Sequence, residues 1–302
     1  MIDLSKIGTE QQNENTMKID QLNTLEMVRL INQEDQAVID AVNNASESIA
    51  NAVDATYEVI SQGGRLVYIG AGTSGRIGVL DASEWLPTFG VGEESVVGII
   101  AGGDHALRHP IESAEDNEQD VIDDLKAINF NKDDILCALA SSGRTPYCIG
   151  GLKYANDLGA KTISLACVAN SELANYADYP IEAVVGQEVV TGSTRMKSGS
   201  AQKMVLNIIS TSVMIKSGKV YGNLMVDVKP TNKKLVERAK GIIMKASGCS
   251  YERAEELMEL SQGQVKPSIV MEKLNIDFTT AEALLANNHG RIADALNTIK
   301  DR

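Results

Sequence analysis

The stretch that decides the fold is GAGTSGRIGVLDASEW, residues 70–85, which follows an apolar run at residues 66–69. A short apolar run that leads through closely spaced glycines into a helical pattern is typical of a strand–loop–helix unit. Gly70, Gly72 and Gly75 also have the G-x-G-x-x-G spacing of a dinucleotide-binding loop.

The loop lacks one feature of a dinucleotide site and adds another that such a site does not need. An acidic residue is expected about 20 positions on to bind a ribose, but Glu93 and Glu94 precede the second apolar run and Asp104 comes too late. Thr73 and Ser74 add two hydroxyls to the loop, which favours a compact phosphate monoester at a helix N-terminus. A tight turn without a ligand is the alternative.

Four further apolar runs alternate with helical patterns, at residues 95–101, 135–140, 162–167 and 181–185. Runs that are apolar on both faces predict a five-stranded parallel sheet covered on both sides by helices, an α/β three-layer αβα sandwich. Helical periodicity also predicts N-terminal helices at 19–29 and 34–61 and a long buried helix at 196–217.

The composition changes after an irregular connector at residues 218–232. From about residue 247 onward we expect no strands, only short helices at 251–260, 267–274, 279–286 and 291–299. The predicted organisation is therefore an N-terminal helical segment at 1–56, a sheet domain at 57–235 and a small helical domain at 236–302.

A second loop of hydroxyls, glycine and arginine follows the third apolar run, at residues 141–145. Parallel strands end at the same edge of a sheet, so two helix N-termini are expected to meet around one anion there. The hydroxyl donors of this predicted cradle are Thr73, Ser74, Ser141, Ser142 and Thr145.

Two arginines, Arg76 and Arg144, are predicted in the first turns of the helices that follow these loops. A cation at that position opposes the helix dipole, which indicates an anionic partner, either a ligand or a carboxylate. Tolerated surface arginines are the alternative.

Glu84 is the first candidate acid. Pro87 predicts that the helix ends near this residue, and Trp85, Leu86 and Pro87 would desolvate the carboxylate enough to hold a proton, as a general acid must. A solvated glutamate at a helix end is the alternative.

Two further segments combine polar residues with a predicted helix start. Pro110 predicts a helix N-terminus for the acidic segment 110–120, whose carboxylates form either a solvated face or a site with one acting acid. Residues 186–203 carry hydroxyls and basic side chains after the fifth apolar run, so we expect either a decorated helix cap or a wall of the ligand site.

The length, composition and net charge of the chain exclude some classes of protein and some kinds of partner. The chain has 302 residues, 43% of them hydrophobic, and a formal net charge of −13, which argues against nucleic acid or a membrane surface as a partner. Four cysteines without a C-x-x-C pair, together with a polar N-terminus, predict reduced thiols in a cytoplasmic protein. His105 and His109 lack a third ligand nearby, so we expect no metal.

The motifs together resemble the sugar isomerase (SIS) fold, and in particular the family of N-acetylmuramic acid 6-phosphate etherases, to which glucokinase regulatory protein is related. The matching segments are GAGTSGR at 70–76, LDASE at 80–84, AGG at 101–103, ESAED at 112–116, ASSGRTP at 140–146, the T-G-S-T-R-M-K segment within 188–203 and GNLMVDV at 222–228. Nearly the whole chain is covered.

The resemblance implies a homodimeric enzyme without a cofactor that removes D-lactate from N-acetylmuramic acid 6-phosphate, by β-elimination and rehydration at C3, in the recycling of cell-wall sugars. It places the catalytic carboxylates at Glu84, the proton donor with a raised pKa, and at Glu115, and it implies a UBA-like C-terminal module. The expected substrate-binding residues are Gly72, Thr73, Ser74, Ser141, Ser142, Gly143, Thr145, Glu188, Ser193 and Lys203. A non-catalytic sugar-phosphate regulator and an aldose–ketose isomerase are the alternatives.

Overall fold

The computed structural model describes residue 8 and residues 11–92, 94–228 and 230–300. The described chain forms two compact units. The first holds the residues up to Glu84 together with Gly92–Ser210, and the second holds Trp85–Val91 together with the residues from Thr211 onward. Glu93 and part of the predicted N-terminal segment, residues 1–7, 9 and 10, lie outside the described residues.

A five-stranded parallel sheet forms the centre of the first unit, in the order β2-β1-β3-β4-β5. Its strands are β1 (Leu66–Gly70), β2 (Val96–Ile100), β3 (Ile135–Leu139), β4 (Lys161–Ala166) and β5 (Tyr179–Glu182). The three central strands are almost entirely buried, which explains why their sequences are apolar on both faces. The α/β class and the five parallel strands predicted from the sequence are confirmed.

Helices surround this sheet and supply the other half of its core. In chain order they are α1 (Thr24–Glu34), α2 (Gln36–Asn44), α3 (Ser46–Ser61), α4 (Gly72–Phe89), α5 (Gly103–Arg108), α6 (Glu118–Ala127), α7 (Pro146–Leu158) and α8 (Lys197–Lys216). A 3₁₀ turn at Glu112–Glu115 precedes α6. Within the described residues, no helix is long and apolar enough to cross a membrane.

Several boundaries differ from the sequence prediction. The helix predicted at 19–29 is α1, which runs from Thr24 to Glu34, and the helix predicted at 34–61 is divided into α2 and α3. Strand β5 begins at residue 179, not 181, because an edge strand tolerates the missing donor of Pro180. Helix α4 continues through Pro87, which lies in its last turn and frees only the exposed carbonyl of Ser83. Pro110 does not start a helix, because α6 begins later, where the Asn117 side chain accepts from the Gln119 N–H at 2.9 Å.

The second unit is helical, with a core of its own. Its elements are the antiparallel pair β6 (Val220–Tyr221) and β7 (Leu224–Met225) and the helices α9 (Lys233–Ser247), α10 (Tyr251–Leu260), α11 (Val265–Leu274), α12 (Phe278–Asn287) and α13 (Ile292–Lys300). The four short predicted helices are confirmed, and the predicted irregular connector contains a small hairpin. The predicted domain limits at residues 56 and 235 stay a prediction.

Candidate functional site

The loops after β1 and β3 meet at the carboxyl edge of the sheet. Gly70 and Leu139 are register partners on adjacent parallel strands, so the two loops start at the same level. Helix α4 begins two residues after Gly70, and α7 begins at Pro146 with Thr145 as its N-cap. Both helices thus present free N–H groups at this edge, which is the arrangement that binds a phosphate.

Glycine is required by the backbone at two points of these loops. Gly143 has a φ of +70°, and a Cβ there would lie 2.4 Å from the Cβ of Ser171. A Cβ on Gly75 would lie 2.5 Å from the Gly70 carbonyl oxygen, which allows α4 to start directly against β1. The glycines therefore fix the shape of the cradle, as the sequence spacing suggested.

The hydroxyls of the cradle are not equivalent. Thr73, Ser142 and Thr145 are half-buried, whereas Ser74 is buried and its hydroxyl donates to Gln202 Oε1 at 2.9 Å. Ser74 therefore fastens α4 to α8 in this structure. Ser141 is also buried, and its carbonyl accepts from the Cys167 N–H.

The start of α8 forms a third side of the cradle. A Cβ on Gly199 would lie 3.5 Å from Thr73 Cγ2 and 3.7 Å from the Thr194 carbonyl oxygen, at ordinary van der Waals distances, so this part of α8 lies close to the first turn of α4. Ser193 is half-buried in the turn before α8. The segment 191–199 thus lies beside the first loop.

The carboxylate of Glu188, an expected substrate ligand, forms hydrogen bonds within the protein. Its side chain is fully buried, and its carboxylate accepts from the N–H groups of Lys197 and Ser198, both at 2.9 Å, and from the Ser198 hydroxyl at 2.8 Å. These contacts cap the N-terminus of α8, where a carboxylate is favoured by the helix dipole. Glu188 therefore positions α8.

Lys203 also has protein partners in place of the expected anion. Its ammonium donates to Asn207 Oδ1 at 2.5 Å and lies 3.7 Å from the carboxylate of Asp81. Asp81 is buried and accepts from the hydroxyls of Tyr68 and Ser210. Burial, followed by the charge of Asp81, raises the pKa of the Tyr68 hydroxyl, so the tyrosine remains a donor.

The two arginines have different environments. Arg76 donates to the carbonyls of Ala106 and Leu107 at 2.7 and 2.9 Å, so its partner in this structure is the C-terminus of α5 and not the expected ligand or carboxylate. Arg144 precedes the N-cap of α7 and is half-buried.

The two candidate catalytic carboxylates are both exposed. The turn Glu112–Glu115 packs against α7. Burial raises the pKa of the Cys148 thiol on α7 to about 12, and the charge of Glu115 adds to the rise. Glu84 is exposed beside buried Trp85, whereas Leu86 is 62% exposed. The desolvation expected from these neighbours is therefore absent from the single chain.

A buried ion pair links the N-terminal segment to α8. Glu34 accepts from Lys197 Nζ at 3.1 Å and from the amides of Asn13 and Asn15 at 2.6 and 2.9 Å. Burial alone would raise the pKa of Glu34, but these hydrogen bonds outweigh it and lower the pKa. The pair holds residues 13–34 next to the helix that borders the cradle.

Sequence reasoning missed Gln202 and Ser171. Gln202 is fully buried, and among the described residues no group accepts from its Nε2. A polar residue on the buried face of an otherwise apolar helix is a signal that could have found it. Ser171 has no such signal, because its burial depends on the packing of Gly143 against it.

No metal site is found in the described part of the chain: no three His, Cys, Asp or Glu side chains cluster there. The rings of His105 and His109 stack with their centroids 4.6 Å apart. All four cysteines carry free thiols.

Comparison with known proteins places this geometry in a family. Two family models match, the glucokinase regulatory protein N-terminal SIS domain over residues 48–156 and the SIS domain over residues 111–212. The phosphoheptose isomerase from Francisella tularensis has a similar structure, with a TM-score of 0.50 and 21% identity over 64% of this chain and all of that one. This likeness shows the fold alone.

Curated relatives are much more similar. The N-acetylmuramic acid 6-phosphate etherase of Clostridium botulinum strain Hall is 54% identical over 298 residues, which is 99% of each chain. The etherase of Actinobacillus pleuropneumoniae serotype 5b is 54% identical over 293 residues, covering 97% of this chain and 96% of that protein. With its SIS fold and this identity over nearly its whole length, the chain belongs to the family of N-acetylmuramic acid 6-phosphate etherases.

Proposed function

We propose that this chain cleaves the D-lactyl ether of N-acetylmuramic acid 6-phosphate, giving N-acetylglucosamine 6-phosphate and D-lactate for the recycling of cell-wall sugars. The observation that carries the proposal is the 54% identity, over 99% of both chains, to a curated etherase. The protein is then a carbon–oxygen lyase. The free thiols agree with the cytoplasmic location that we infer for it.

The proposed reaction is a β-elimination followed by hydration. Opening of the sugar ring exposes an aldehyde at C1 that acidifies the C2 proton. A base removes this proton, the electron pair forms the C2–C3 double bond, and lactate leaves from C3 with a proton from an acid. Water then adds at C3 and the C2 proton returns. One base and one acid are needed, and two carboxylates supply them if their pKa values differ.

The cradle at the carboxyl edge is our proposed phosphate site. The N–H groups at the starts of α4 and α7, with the half-buried hydroxyls of Thr73, Ser142 and Thr145, converge there. Binding energy at the phosphate would orient C2 and C3. Ser74 supports this site through Gln202, and Glu188 supports it by capping α8.

We assign Glu115 to the same subunit as the cradle, because the turn Glu112–Glu115 packs against α7, whose N-terminus forms part of the cradle. Glu84 lies on α4, twelve residues beyond Gly72, which corresponds to about 18 Å along the helix. Phosphorus and C3 of the open sugar are joined by five bonds and are at most roughly 7 Å apart. Glu84 is therefore out of reach of a substrate bound by its own helix start.

This distance supports a homodimer in which Glu84 of the partner subunit completes the site. Leu80 lies one turn before Glu84 on the same face of α4 and is 45% exposed, so a large apolar side chain adjoins the exposed carboxylate. Covering this face would bury Leu80 and supply the desolvation that a proton donor needs.

Incubation with N-acetylmuramic acid 6-phosphate in ¹⁸O-labelled water tests the activity and its route. We expect free D-lactate without label on its hydroxyl and label at C3 of the sugar. Label on lactate would contradict the elimination. The absence of lactate would contradict the function and favour a regulator.

Variants test the two carboxylates. Glu84→Gln and Glu115→Gln should each retain substrate binding and lose at least about a hundredfold in kcat, as expected for the loss of a general acid or base. Glu118→Gln, an exposed glutamate close by that pairs with Lys153, is the matched control and should keep full turnover. Unchanged kcat in either variant would remove that residue from the mechanism.

A further inference from the structure

A cavity of about 440 Å³ lies on the other side of the loop after β3. Its walls come from this loop, from the segment 167–172 after β4, from the chain after β5 and from Gly8 and Gln11 near the N-terminus. Ser142 belongs both to the proposed cradle and to this cavity, so the two adjoin each other.

Two buried polar atoms at this cavity lack partners in the described residues. The Ser171 side chain belongs to a residue that is only 4% exposed, and neither its Oγ nor Nε of Arg144 forms a hydrogen bond within the described chain. Both residues line the cavity. Buried polar groups in folded proteins almost always have a partner, so two donors without one at the same cavity indicate a ligand that accepts hydrogen bonds.

The neighbouring carboxylates do not neutralise Arg144. Glu182 accepts from the N–H groups of Asn170 and Ser171 at 3.0 and 2.7 Å. These hydrogen bonds fix the loop after β4 and engage both oxygens of the Glu182 carboxylate. Glu172 lines the cavity but is exposed to solvent. The guanidinium is therefore the dominant charge in the buried part, and its planar fork matches a carboxylate.

We propose that this cavity binds the lactyl carboxylate of the substrate, with Arg144 and Ser171 as donors. The inference rests on the proposed function, because the substrate then carries two anionic groups. The phosphate occupies the cradle on one side of the loop, and the carboxylate occupies the cavity on the other. N-acetylglucosamine 6-phosphate lacks the carboxylate, so Arg144 determines specificity for the lactyl-bearing sugar.

The test compares Arg144→Gln with wild type in two measurements on the full-length protein. The first is KM for lactate release from N-acetylmuramic acid 6-phosphate. The second is the inhibition constant of N-acetylglucosamine 6-phosphate, which probes phosphate binding without the carboxylate. We expect KM to rise roughly ten- to a hundredfold, as for a lost charged hydrogen bond, with the inhibition constant within about twofold of wild type.

Two further variants serve as controls for misfolding and for the loss of one positive charge. Ser171→Ala removes a hydroxyl without a partner in the described chain, so Tm should be unchanged while KM rises severalfold. Arg238→Gln removes an exposed arginine from the second unit and should change neither constant.

Three outcomes separate the hypotheses. Unchanged KM in both Arg144→Gln and Ser171→Ala would overturn the carboxylate site. An equal loss of substrate and inhibitor binding in Arg144→Gln would also overturn it and place Arg144 at the phosphate. If wild type releases no lactate, the proposed function itself fails.

Discussion

At the residue scale, the carboxylate of Glu188 caps the N-terminus of α8, and a single substitution can measure how much this cap stabilises the protein. Glu188→Ala would leave the N–H groups of Lys197 and Ser198 without their buried acceptor. We expect the free energy of unfolding to fall by about 2 kcal/mol, the cost of a lost cap with unsatisfied buried donors. Urea unfolding followed by circular dichroism measures this.

Glu118→Ala is the control, because it removes an equal charge from an exposed ion pair and should cost less than about 0.5 kcal/mol. If the two variants have the same stability, Glu188 is not a structural cap.

The contacts of Glu188 with the start of α8 also show which part of the site the sequence does not determine. The motif places a carboxylate before a helix, but only the fold determines whether it faces the ligand or the helix.

The buried thiols predict how stability depends on pH. Burial raises the pKa of Cys148 and Cys167 from 9.0 to about 12. Between these values the folded chain keeps protons that the unfolded chain releases, so stability is intact below about pH 9 and falls as pH rises toward 12. Urea midpoints measured at pH 7, 9 and 10.5 should decrease only in the last step.

A Cys148→Ala variant isolates one of these thiols. Its midpoint should fall less between pH 9 and 10.5 than that of wild type, because one of the groups that holds its proton is gone. Equal decreases in both proteins would show that Cys148 does not contribute. Buried Tyr68 acts in the same direction, so part of the decrease remains in the variant.

At the element scale, the start of α4 depends on the absence of one methyl group. Gly75→Ala would place a Cβ 2.5 Å from the Gly70 carbonyl oxygen and 2.6 Å from Ile100 Cγ1, so the helix start must move away from β1. We expect a loss of about 2 kcal/mol or more in stability. KM should rise as well, because the same N–H groups form the proposed cradle.

Gly241→Ala is the matched control. This glycine lies inside α9, and a Cβ there meets nothing within 4 Å, so alanine should stabilise the protein by up to about 1 kcal/mol. A stable Gly75→Ala variant with unchanged KM would refute the role given to this glycine.

The elements also mark where sequence patterns succeed. The strands follow from apolar runs, and the two loops follow from glycine and hydroxyl spacing, because both signals are local. The partners of Ser74 and Arg76, and the carboxylate of Asp81 near Lys203, could not be predicted, since each lies on an element distant in sequence. Local patterns locate the edge of the sheet that we propose as the ligand site, whereas packing decides which side chains there remain available.

At the scale of the whole molecule, our proposed site is completed by Glu84 of a second subunit, because Glu84 is out of reach of a substrate bound at the start of its own helix. A homodimer with two-fold symmetry has two such sites, each with Glu115 from one chain and Glu84 from the other. Glu84→Gln and Glu115→Gln homodimers each carry the defect in both sites. A mixed dimer of the two variants places both defects in one site and leaves the other intact.

We therefore predict that mixed dimers recover activity from two inactive parents. Co-expression with two different affinity tags and sequential purification yields the mixed species. If Glu84 acts across the interface, its kcat should be about half that of wild type, since one of two symmetric sites is intact. If each chain uses its own Glu84, both sites of the mixed dimer carry one defect and no activity returns. A mixed dimer of Glu84→Gln with wild type, which has one intact site in either case, calibrates the assay.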